Sequence, residues 1–206
     1  MTGAGDPVTA YFDARAAGYR AALSCGLWAI QRRREAARVL EAAQPLAGRS
    51  LLDLGCGTGF YGALARAAGA GPVVMVDRSP AMIAEAGAVC DGGRPDQAVV
   101  GDAAAIDLGR RFDRILLAGV LEFVPDASAV LDNARRHLAP GGRIVLLAPS
   151  DGAGGRLYRA FHRRHGLAIT LFSPSALDRL AAASGLRGTS PVRVPPFGLV
   201  LAMEAS

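Results

Sequence analysis

The chain has 206 residues, 51% hydrophobic, 20% charged and 6% aromatic, which bounds a single domain with a sizeable core and excludes a disordered chain. The net charge of +5 comes from 23 basic residues that are all Arg and are spread along the chain, so charge alone names no nucleic-acid partner. Cys25, Cys56 and Cys90 stand far apart with no Cys-x-x-Cys pair or His cluster, which argues against a disulfide framework or a metal site and for a cytoplasmic compartment.

Taken in order, the first 45 residues read as two helices ahead of a sheet. The longest apolar stretch there, residues 21–30, is about half a membrane span. Acids and arginines precede it and Arg32-Arg33-Arg34 follows, the wrong order for a signal peptide. No membrane span is expected. After residue 50 strands and helices alternate, the pattern of a parallel sheet covered on both faces. Strands are expected at residues 50–54, 72–77, 98–100, 112–118 and 143–148. Helices are expected at 58–70, from Ser79-Pro80, and from Asp126 to a stop at Pro140-Gly141-Gly142. Gly152, Gly154 and Gly155 read as a flexible stretch before a helix at 156–164. Ser173-Pro174-Ser175 opens a helix ending near Gly185. Two β-prone runs within 190–203, separated by Pro195-Pro196, are expected to pair as a hairpin at the sheet edge.

The strongest chemical signal is Leu51-Leu52-Asp53-Leu54-Gly55-Cys56-Gly57-Thr58-Gly59-Phe60. A strand enters a glycine turn and a helix begins at once. Missing Cβ atoms let the backbone approach a ligand, and the helix N-terminus adds unpaired N–H donors. Such a turn takes the carboxylate or phosphate end of a nucleotide-like cofactor. Asp77, at the end of the next strand, is placed to accept from two ribose hydroxyls. A dinucleotide fingerprint needs its third glycine at position 60, where Phe60 stands, which speaks against a nicotinamide oxidoreductase.

With the spacing Gly-x-Gly-x-Gly, the chain resembles the class I S-adenosylmethionine-dependent methyltransferases over residues 48–148. Asp53-Leu54-Gly55-Cys56-Gly57-Thr58-Gly59 is similar to that family's first motif. Val76-Asp77-Arg78-Ser79-Pro80-Ala81-Met82 resembles its ribose segment, and Gly101-Asp102-Ala103 its adenine segment. Leu121-Glu122-Phe123-Val124-Pro125-Asp126 and His137-Leu138-Ala139-Pro140-Gly141-Gly142-Arg143 match the segments around its fourth and fifth strands. The resemblance implies S-adenosyl-L-methionine as cofactor and an α/β, Rossmann-like, mostly parallel sheet with helices on both faces and a C-terminal antiparallel hairpin. It places Gly55, Gly57 and Gly59 at the methionine end, with Asp53 beneath the turn. Asp77 and Arg78 fall at the ribose, Asp102 and Ala103 at the adenine, and Ala118, Gly119 and Val120 around the methyl. Cys56, inside the turn, reads as a small filler among the cofactor residues, and Glu122 as a helix or loop acid rather than a catalytic base.

One domain is expected: a helical cap at 1–47, a cofactor core at 48–148, an acceptor-side insertion at 149–173, and a C-terminal helix and hairpin at 174–206. Acceptor contacts are expected from Tyr11, Phe12, Tyr19, Tyr158, Phe161, His162 and His165. His162, His165 and Tyr19 are the candidates for a proton-handling role. Neither an Asn-Pro-Pro-Tyr motif after the fourth strand nor a Pro-Cys dipeptide is present, which favours a small-molecule acceptor over nucleic acid. The expected activity is methyl transfer to an O, N or C atom. The alternative is a cofactor-binding subunit of the same fold without catalysis.

Overall fold

The computed structural model describes residues 6–22, 24, 26–89 and 97–206; Cys25 and Cys90 lie outside them. Three helices, α1 (Pro7–Asp13), α2 (Ala16–Ala22) and α3 (Gly26–Ala42), precede the sheet. The expected pair of helices is therefore three. Asp6 caps α1, its carboxylate accepting from Thr9 N, and Pro7 occupies the first turn, where its missing N–H costs nothing.

The core alternates as expected: β1 (Leu51–Leu54), α4 (Phe60–Ala67), β2 (Val73–Asp77), α5 (Pro80–Val89), β3 (Gln97–Val100), β4 (Phe112–Ala118), a 3-10 turn (Leu121–Phe123), α6 (Ala127–Arg136) and β5 (Leu138–Pro149). Then follow α7 (Ala153–Arg164), α8 (Pro174–Ala183), β6 (Leu186–Gly188), β7 (Val192–Val194) and β8 (Gly198–Ala205). The sheet order is β3-β2-β1-β4-β5-β8-β6, with β7 also paired to β8. β3, β2, β1, β4 and β5 run parallel, and β8 runs antiparallel to β5, β6 and β7.

Alternate residues of each strand feed two cores. Leu52, Val74, Ile115 and Ile144 pack on one face with Leu131 of α6 and Leu177 of α8. Leu51, Val73, Leu116 and Val145 pack on the other with Val39 of α3 and Ala65 of α4. This two-sided covering is why the strands read as continuous apolar runs.

Three further expectations change, the first being that α6 ends at Arg136 and β5 begins at Leu138, so Pro140-Gly141-Gly142 lies within the strand rather than stopping the helix. Val192–Val194 and Gly198–Ala205 do form a hairpin, but β8 is an inner strand, with β5 on one side and β6 and β7 on the other. Gly154 and Gly155 belong to α7 rather than to a flexible lead. Any Cβ on them would collide with the Pro196 and Ser150 carbonyls, so their smallness serves close packing of the helix N-terminus.

One buried side chain sets the loop after β3. Asn133 of α6 is fully buried, and its Nδ2 donates to Ala103 O (2.9 Å) and Ile106 O (3.1 Å). Asn133→Ala leaves both carbonyls without that donor, and is expected to lower the unfolding free energy by about 2–4 kcal/mol. Urea unfolding checks this; an unchanged midpoint and slope would contradict it.

Candidate functional site

The C-terminal ends of the parallel strands open into a cavity of about 390 Å³, where open α/β sheets place their ligands. Its floor is backbone. Gly55 N and Cys56 N both donate to Val76 O, at 2.7 and 2.9 Å. Gly57 N donates to Asp77 Oδ2 at 2.8 Å, and Ser79 N to Asp77 Oδ1 at 2.9 Å. The turn is thus fastened to the end of β2. Gly55 has φ +74°, and a Cβ there would strike Val120; Gly57 has φ +54° and faces open space. Both conformations favour glycine.

Gly55, Cys56, Gly57, Asp77, Arg78, Asp102, Ala103, Ala118 and Gly119 all line the cavity. Asp53 and Gly59 are not among the lining residues. Asp53 is buried beneath the turn, its Oδ2 accepting from Gly62 N at 2.9 Å. Burial pushes its carboxyl up to about 7, against the Gly62 hydrogen bond and with a small addition from Asp77. Gly59, expected at the methionine end, instead starts α4 with φ +77° and packs toward Met75 and Ala86. Arg78 is engaged on two sides, 3.2 Å from Asp6 and 3.7 Å from Asp102. Burial raises the Asp77 carboxyl above its ordinary value despite the Ser79 and Gly57 N–H donors.

Opposite the floor the wall is made of side chains. Tyr11, Phe12 and Tyr19 come from α1 and α2, Trp28 from α3, Tyr158, Phe161 and His162 from α7, and His165 from its C-cap; Phe123 and Phe197 complete it. His162 is buried, with its ring 4.5 Å from Tyr158, 5.4 Å from Phe123 and 5.5 Å from Phe161. Burial first, and then His165, lowers it to about 4, so it is neutral at pH 7. His165 lies exposed beside Phe161, rings 4.8 Å apart. Burial pushes Tyr19 up to about 12, so its hydroxyl keeps its proton.

Two acids in this wall were missed by sequence reasoning. Glu122, read as a helix or loop acid, is buried in the cavity wall, and burial pushes it up to about 8. Glu35 of α3 accepts from Gln31 Nε2 at 2.7 Å, and burial raises it to about 7. Trp28, Gln31, Glu35 and Val39 recur at helical spacing, a signal that could have put Glu35 on the inner stripe. Glu122 had no such signal, because it lies in a single short turn between β4 and α6.

Comparison with known proteins names this arrangement. A family profile described as a methyltransferase domain matches residues 28–190. The chain belongs to the methyltransferase domain family. Among curated relatives, the tRNA U34 carboxymethyltransferase of Chromohalobacter salexigens is 36% identical, over 68% of this chain and 44% of its own length. Trans-aconitate 2-methyltransferase of Methylobacterium nodulans is 31% identical, over 78% of this chain and 58% of its own. The chain thus spans only about half the length of these relatives. The structure of magnesium protoporphyrin IX methyltransferase from Synechocystis PCC 6803 with bound SAM shares the fold, with TM-score 0.75, 18% identity and 100% of each chain covered. No helix among the described residues of this methyltransferase domain is long and apolar enough to cross a membrane.

The buried acid gives a pH test. Folding raises Glu122 to about 8 from an ordinary value of about 4.3, so folding favours its protonated form. Its contribution to stability is fully present below about pH 4.3 and is lost as the pH rises through about 8. Gln cannot titrate. The stability of the wild type relative to Glu122→Gln is therefore expected to fall between about pH 4 and pH 8. Melting temperatures across that range check it; a constant difference would contradict it.

Proposed function

We propose that this domain transfers a methyl group from S-adenosyl-L-methionine to an O, N or C atom of a small-molecule acceptor. The observation that carries the reading is a single cavity that joins the Gly55-Cys56-Gly57 turn and the Asp77 carboxylate to an aromatic compartment past Gly119. The residues fit the cofactor. At Gly57 no neighbouring atom stands where a Cβ would project, in a lining position. The Asp77 carboxylate sits at the strand end with acceptor capacity left for two hydroxyls.

When bound, the cofactor supplies a sulfonium methyl already activated for displacement. The chain's own task is then alignment, which supplies roughly 7–11 kcal/mol in favourable cases. Gly55, Cys56 and Gly57 hold the methionine end through backbone, with Asp53 and Gly59 keeping the turn in shape from behind. Asp77 takes the ribose, while Asp102 and Ala103 face the adenine. Arg78 acts through the ends of the cleft, tying Asp6 of the cap to Asp102. Ala118 and Gly119 border the reacting space.

The acceptor is held by the aromatic wall. Glu122 keeps its proton at neutral pH and offers a donor. His162 is neutral and offers an acceptor to a hydroxyl or amine, orienting it rather than removing its proton in advance. Tyr19 stays a donor, and His165 stands at the exposed rim. The compartment's size and aromatic lining under the cap helices support a small acceptor over a polynucleotide. Trans-aconitate 2-methyltransferase, named for a small acceptor, points the same way.

Calorimetry with S-adenosylhomocysteine tests the cofactor half. The wild type is expected to bind, and Asp77→Ala to bind about a hundredfold or more weakly, from the loss of two hydrogen bonds to a charged acceptor. No binding by the wild type would overturn the reading. For the acceptor half, His162→Gln is expected to raise KM for the acceptor more than it lowers kcat. A large loss of kcat that tracks one ionisation would instead make His162 a base.

A further inference from the structure

The helices at the cavity mouth turn apolar side chains outward, and no described residue covers them. Trp28 and Phe161 meet across the mouth with ring centroids 5.7 Å apart, yet remain 37% and 41% exposed. Leu27, next to Trp28, and Leu157, one helical turn before Phe161, are 83% and 74% exposed, and Ile30 is 49% exposed. Single exposed leucines are ordinary. A cluster of large apolar side chains on two touching helices around one opening marks a surface built to meet something apolar.

The same two helices are cationic. Arg33 and Arg34 of α3, and Arg156, Arg159, Arg163 and Arg164 of α7, are exposed. α7 carries no Asp or Glu. In α3, Glu35 is buried and Glu41 lies at the far end, 2.7 Å from Arg38. Acids that would offset the arginines are therefore absent from the mouth-facing halves of both helices. Nucleic acid would use the arginines and leave the leucines in water. An apolar protein face would use the leucines and leave the arginines without counter-charge. A bilayer with anionic headgroups meets both, through the pairing of Trp, Phe and Leu with Arg that suits an interfacial helix.

We propose that the rim formed by α3 and α7 docks on an anionic lipid surface, so that the cavity mouth faces the bilayer and receives a lipid-dissolved acceptor. Leu27, Ile30 and Leu157 enter the headgroup boundary, and the arginines pair with lipid phosphates. The acceptor clause rests on the methyl-transfer reading above; the docking itself does not.

The test is sedimentation of the whole chain with phosphatidylcholine vesicles, with and without phosphatidylglycerol, beside calorimetry with S-adenosylhomocysteine on the same preparations. Binding is expected only with phosphatidylglycerol, and it weakens as salt is added. L27S/L157S is expected to lower the partition coefficient about tenfold or more, and R163Q/R164Q about tenfold at low salt. Both variants should keep the wild-type affinity for S-adenosylhomocysteine, since none of these four residues lines the cavity. Failure of the wild type to bind anionic vesicles overturns the proposal. So does binding that L27S/L157S leaves intact and tRNA competes away, which would be attraction to any polyanion. Vesicle binding without S-adenosylhomocysteine binding would reject the methyl-transfer reading and leave the docking standing.

Discussion

The cavity depends on the fastening of the glycine turn to the end of β2. Val76 O accepts from both Gly55 N and Cys56 N, and Asp77 adds Gly57 N on one carboxylate oxygen and Ser79 N on the other. These hydrogen bonds hold backbone in a left-handed conformation that would otherwise be costly to fix. They also fix where the Asp77 carboxylate points. The cap uses the same anchor. Ser79 donates its hydroxyl to Asp13, the last residue of α1, and Arg78 reaches Asp6 at that helix's start. Floor and roof of the cavity therefore share one short segment, residues 77–79.

From that anchor the cavity divides by chemistry. The side of the glycine turn is largely backbone, and it tolerates little change because Gly55, Cys56 and Gly57 each donate their N–H to the end of β2. The opposite wall is side chains on α1, α2, α3 and α7, so its shape is free to vary while the floor stays the same. Burial dominates the electrostatics there. Glu35, Glu122, Tyr19 and His162 are all driven toward their neutral forms. The guanidinium groups of Arg15 and Arg32 also line the cavity, so the wall sets two cations beside these neutral groups and the aromatic rings.

The legible part of the fold was the part whose signals are local. Strand, glycine turn and helix at residues 51–60, the Ser79 cap and the acid at Asp77 each follow from residues within a few positions of one another. Most of what went unread depends on packing between distant segments. Glu122 shares the wall with Tyr19 of α2, Glu35 of α3 and Tyr158 of α7, three residues far from it in sequence. Gly154 and Gly155 read as flexible until the Pro196 and Ser150 carbonyls are seen against them. The hairpin after Val192 was visible, but not that β8 would be flanked on both sides, since pairing partners lie far apart in sequence. Gly59 carried the spacing of a contact residue while serving the start of α4.

One cavity joins the glycine turn and Asp77 to the aromatic wall. The most direct measurement is a crystal structure of the chain grown with S-adenosylhomocysteine. The expected result is the ribose hydroxyls on Asp77, the homocysteine end against Gly55 and Gly57, and the sulfur facing the wall that holds Glu122 and His162. Density outside this cavity, or a ligand whose ribose does not meet Asp77, would contradict it.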